Sequence, residues 1–109
     1  MTDKIVVLVT GTSVRQCKKI ARRLLEKRLI ACANLVPQVH SLYHWKGKIA
    51  DDKECWMTLK STRELFPALR LEVEREHSYT VPEVIALPIV DGSPNYLHWI
   101  DECLGTSAT

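Results

Sequence analysis

The chain opens on a short apolar run, Ile5-Val6-Val7-Leu8-Val9-Thr10, rich in β-branched residues. With apolar side chains on both faces, it predicts a central strand covered on both sides. Gly11 breaks the run, and Thr12 or Ser13 stands where a helix cap belongs. Val14, Cys17, Ile20, Ala21, Leu24 and Leu25 then recur at helical spacing, predicting one apolar stripe. Ala31 to Val36 is extended and apolar again, and Pro37 predicts a bend or bulge before a hairpin arm begins at Val39. Ser41 to Ile49 alternates large and small side chains around Lys46-Gly47, a tight reversal in which glycine can take the positive φ that hairpin turns need. The returning arm, broken by the polar Asp51-Asp52-Lys53, runs to Lys60 with Cys55, Met57 and Leu59 on one face and Trp56 on the other. A second helix must begin near Glu64, because Pro67 is tolerated only in a first turn. Phe66, Leu69 and Val73 form its buried stripe, and Glu72, Glu74, Arg75 and Glu76 read as a solvated cluster. A loop from His77 to Pro82 leads into a strand from Val84 to Val90, apolar on both faces. Asp91-Gly92-Ser93-Pro94 supplies turn, cap and first residue of a short last helix. That helix is expected to carry Tyr96, Trp99, Ile100 and Cys103 on one side, and the tail from Gly105 to Thr109 is expected to fray.

The order strand, helix, strand, strand, helix, strand, short helix predicts an α+β fold of the split βαβ, ferredoxin-like kind, in one domain over 1–109. Right-handed crossovers place both main helices on one face of the sheet. The other face would then expose Trp56 and one side each of two more apolar strands, and the short last helix cannot hide it all. At about 25 cal/mol per Å² of apolar surface, such a patch drives association. The expected answer is a homo-oligomer packing sheet against sheet, with the long hairpin reaching into a neighbour.

Composition narrows the field. A chain of 109 residues with a formal charge of +2 has no global field that marks a nucleic-acid or membrane partner. The basic side of the first helix (Arg15, Lys18, Lys19, Arg22, Arg23, Lys27, Arg28) lacks interleaved aromatics and reads as solvated. The first run is far too short to span a bilayer, and no export signal is read at the start. Four cysteines without a C-x-x-C pair are expected as free thiols, which fits a cytosolic setting.

Nucleotide and hydrolase fingerprints are absent: Thr10-Gly11-Thr12-Ser13 has one glycine and no later partners, and no G-x-S-x-G occurs. His40 and His44 cannot share one ion within a strand, where four residues span about 13 Å. His77 follows a helix and reads either as a metal contact or as the closer of a structural hydrogen bond. Tyr43, Trp45, Trp56, Tyr79, Tyr96 and Trp99 suit a ligand cage or an interface. Lys60, Glu54 and Glu83 are charges near apolar strands, which need each other or a ligand. An RNA-binding ferredoxin-like domain lacks its aromatic strand motif here. An acylphosphatase-like use of Arg15 is the enzymatic rival, and no turnover is expected.

Three stretches carry a resemblance: Ala31-Cys32-Ala33-Asn34-Leu35-Val36-Pro37; Ser41-x-Tyr43-x-Trp45-x-Gly47-Lys48 with Glu54 to Lys60; and His77-x-Tyr79-x-x-Pro82-Glu83-Val84-Ile85-Ala86-Leu87-Pro88-Ile89 with Tyr96-Leu97-His98-Trp99-Ile100. Together they are similar to the CutA family of divalent-cation tolerance proteins. The resemblance implies a tight homotrimer of ferredoxin-like subunits, PII-like in shape, with a role in copper and heavy-metal tolerance and no enzymatic activity. It implies Cu2+ or another divalent metal ion as a weakly held ligand. His77 with Glu76 as an oxygen ligand is the expected metal contact, and Tyr43, Trp45, Lys60, Tyr79, Glu83 and Trp99 are the expected walls of a cleft between subunits. Three departures stand out: Val9 stands where metal-binding members can carry a cysteine late in the first strand, Glu76 where a second histidine would fall beside the loop histidine, and Ser78 in place of the usual proline after it. A PII-like signalling or scaffold trimer without a metal role is the alternative the same residues allow.

Overall fold

The computed structural model describes residues 2–105. Its first strand, β1 (Lys4–Gly11), buries Ile5, Val7 and Val9 on one face and half-buries Val6 and Leu8 on the other. Ser13 caps α1 (Val14–Glu26) by accepting from the Gln16 amide at 3.1 Å, and the Gln16 side chain returns to the Thr12 amide at 2.9 Å. β2 (Cys32–Trp45) and β3 (Lys48–Thr62) form the hairpin. Lys46 and Gly47 at its tip have φ of 49° and 77°, the paired positive values of a two-residue turn that matches strand twist. The ladder slips between Val36 and Val39, around Pro37, which has no amide to donate. α2 (Phe66–Glu76) carries Pro67 in its first turn. β4 (Val84–Pro88) is shorter than the apolar run suggested, and α3 (Pro94–Leu104) ends on Gly105 at φ 74°.

The four strands lie in the order β2-β3-β1-β4, every neighbour antiparallel. This is the expected ferredoxin-like arrangement. α1 and α2 cover one face, where Ile20, Leu24, Met57, Leu59, Leu69 and Val73 form the main core. Each such side chain contributes roughly 1.5–3 kcal/mol by leaving water. α3 lies on the opposite face at the end where β1 starts. Lys4 alternates with the buried Ile5, and its ammonium reaches Asp101 of α3 at 3.1 Å. Under α3, Ala31, Ile100 and Leu104 make a second small core.

Three expectations need correction. Glu72 is buried, not solvated, because Lys27, the residue that caps the end of α1, and Arg75 both bond its Oε1. Tyr96 and Trp99 lie on the exposed flank of α3, whose buried side is Leu97, Ile100 and Leu104. The last strand stops at Pro88 rather than at Val90. Residues 106–109 of the tail expected to fray lie outside the described residues. All four cysteines are free thiols.

Candidate functional site

β3 pairs with β1 only from Cys55 onward, so Lys48 to Glu54 pair with β2 alone. The hairpin therefore leaves the body of the sheet as a two-stranded arm, and the molecule is 52 Å long by 26 Å and 23 Å. Beneath the root of this arm, the loop after α2 returns toward β4. A cavity of about 860 Å³ opens between them, lined by Thr10, Tyr43, Trp45, Asp52, Glu54, Tyr79 and Glu83 among others. That volume lies within the range of small-molecule sites.

The loop is held by His77, which is buried. Its Nε2–H donates to the Thr10 carbonyl at 2.7 Å, and its Nδ1 accepts the Tyr79 amide at 3.0 Å. The Tyr79 ring packs against the imidazole, centroids 4.7 Å apart, and its hydroxyl donates to Glu54 Oε2 at 2.7 Å. A chain of contacts thus runs from β1 through His77 and Tyr79 to β3. Tyr43 similarly donates its hydroxyl to Asp52. Burial first, then the bond to Glu54, pushes the Tyr79 phenol above its ordinary range. The bond to Asp52 is the main cause of the same upward shift in Tyr43. Both phenols therefore stay protonated donors to their carboxylates.

Of the expected cleft residues, the structure brings Tyr43, Trp45, Tyr79 and Glu83 to this one cavity. Lys60 lies elsewhere, donating to Asn34 across the ladder, and Trp99 stacks on Tyr96 of α3 at 5.4 Å. Asp52 belongs to the site and read as a mere polar interruption. The signal for it was the turn: a two-residue reversal pairs Tyr43 with Ala50, which sets Asp52 diagonally across from Tyr43 on one face. The expected metal contact does not assemble in this geometry. Both ring nitrogens of His77 are taken by backbone groups, and Glu76 sits 3.3 Å from Arg23. No group of three histidine, cysteine, aspartate or glutamate side chains converges as a metal site among the described residues. Bonded in this way, His77 and Glu76 do not fit a bound divalent ion within one chain.

Residues 5–103 match the family model described as CutA1 divalent ion tolerance protein. The chain belongs to the CutA family. It is 44% identical over 100 residues to the divalent-cation tolerance protein CutA of Thermus thermophilus, covering 92% of this chain and 97% of that one. It is 50% identical to mouse protein CutA over 86% of this chain, but spans only 53% of the mouse protein. The solved structure described as the periplasmic divalent cation tolerance protein CutA from Archaeoglobus fulgidus superposes with a TM-score of 0.90 at 40% identity, covering 93% of this chain and 98% of that one. No helix among the described residues is long and apolar enough to cross a membrane.

Proposed function

We propose that this CutA-family chain works as a PII-like homotrimer, a binding protein rather than an enzyme, serving the divalent-cation response through a ligand held in the cavity at the root of its hairpin. The observation that carries the assembly is the uncovered apolar surface. Val36, Ile85 and Leu87 are 41%, 49% and 48% exposed on the face opposite α1 and α2, beside the half-buried Val6, Leu8 and Trp56. On the arm, Leu42, Trp45 and Ile49 are exposed as well. So much contiguous apolar surface is what copies of the chain would cover. Three arms would then each lie against a neighbour and enclose the cavity further. A cytosolic setting is supported by the four free thiols.

Copper or another divalent ion at His77 and Glu76 would require His77 to release Thr10 or Tyr79, and Glu76 to leave Arg23. The cavity is therefore the better seat for a ligand. Sedimentation equilibrium at micromolar concentration tests the assembly. The expected mass is three times the 12.4 kDa of the chain, and a folded monomer under those conditions would refute the trimer.

A further inference from the structure

Among the described residues, the carboxylates and ammonium or guanidinium groups that line the cavity itself are all of one sign. Asp52, Glu54 and Glu83 line it, no lysine or arginine does, and the lining His40 is 3.6 Å from Asp51. Glu54 is the telling member. It is only 9% exposed, its one bond is the Tyr79 hydroxyl on Oε2, and no cation pairs with it among the described residues. A carboxylate mostly withdrawn from water without a countercharge is costly, and the unbonded Oε1 of Glu54, not sealed from solvent, is the atom that a cation could meet. The buried carboxylate of Glu72 shows the ordinary solution in this same chain, with Lys27 and Arg75 both upon it. Glu54 lacks that solution.

The walls say which kind of cation. Tyr43, Trp45 and Tyr79 bring aromatic surface beside the carboxylates, and aromatic faces attract ammonium and guanidinium groups. Trp45 already has the Lys46 ammonium 5.7 Å from its ring centroid. A bare metal ion would need several ligands at about 2 Å, and the acidic groups here do not converge in that way. A guanidinium, with five N–H donors spread in a plane, can reach separated carboxylates.

We propose that the cavity at the hairpin root is a site for an organic cation, a guanidinium or primary ammonium group, with Glu54 as its buried counter-charge and Tyr43, Trp45 and Tyr79 as its walls. The inference rests on the reading of this cavity as the ligand site, and it specifies the ligand chemistry. The cation comes either from a free small molecule or from an arginine or lysine side chain of a second copy. His77 is a positioning residue, since it fixes the Tyr79 that holds Glu54.

The test is calorimetric titration of the full chain in its native assembly with agmatine, against sodium chloride of matched ionic strength and against acetate and glutarate as anionic probes. Glu54→Gln and the exposed Glu83→Gln are titrated alongside, so that one variant remains should the other fail to fold. Saturable agmatine binding, weakened tenfold or more by either substitution, supports a free ligand. Where agmatine does not bind but either substitution raises the concentration for half-dissociation of the assembly tenfold or more, the cation is a neighbour's side chain. The absence of both effects overturns the inference, as does agmatine binding that neither substitution weakens. Saturable binding of an anionic probe at the cavity without agmatine binding overturns it too, while leaving the cavity standing as a ligand site.

Discussion

His77 shows how one side chain can be present for reasons other than its commonest chemistry. Its two nitrogens serve the Thr10 carbonyl and the Tyr79 amide, so both lone-pair and proton sites are spent on backbone. In His77→Ala those two groups lose their partners, at a cost of about 1–3 kcal/mol. Urea denaturation should show that loss, while copper titration by calorimetry gives the same isotherm for variant and wild type. A copper signal that vanishes with the imidazole would restore the metal contact. The sequence showed a histidine after a helix end and kept a structural bond among its readings. It could not show which carbonyl lay in reach, because Thr10 and His77 meet only through the sheet.

Between elements, the contact of α1 with α2 is partly electrostatic. Glu72 is buried where the helices meet, with Arg75 from its own helix and Lys27 from the end of α1 on one carboxylate oxygen. The Arg75 bond, and then the Lys27 bond, draw its carboxyl down to about 2. A carboxyl lowered on folding stabilises the protein above its ordinary value near 4.5, and that contribution fades as pH falls toward about 2. Thermal melts between pH 5 and pH 2 should therefore show wild type losing more stability than Glu72→Gln, with the two converging at the acid end. Parallel curves would mean the pair contributes nothing. The helix stripes were legible because apolar spacing sets them. The inward Glu72 was not, because its partner Lys27 is distant in sequence. The same limit applies to Tyr96 and Trp99, whose spacing shared a side with Ile100 although only the latter faces the sheet.

At the scale of the molecule, periodicity and one proline carried most of the architecture. Strand order, the bulge near Pro37 and the reversal at Lys46-Gly47 all follow from residues visible in the chain. The cavity was legible only in part, since it gathers β1, the arm and the loop after α2, and Lys60 and Trp99 fall outside it. The uncovered face yields its own prediction. Ile85 points away from the main core and is half exposed, so Ile85→Lys leaves the subunit folded but puts a charge into any sheet-to-sheet contact. Sedimentation should show the concentration for half-assembly rising tenfold or more, with an unchanged circular dichroism spectrum. An unaffected mass would place the contact elsewhere.

The free-standing ribbon from Lys48 to Glu54 and its β2 partner also bears on the life of a newly made chain. A ribbon with no third strand and no core beneath it opens locally far more often than the sheet it springs from. If the proposed trimer forms, a neighbour would clasp it, and before that it would be the segment most open to proteases. Survival in a cell would then depend on how quickly copies meet, so that dilute synthesis is culled and abundant synthesis persists.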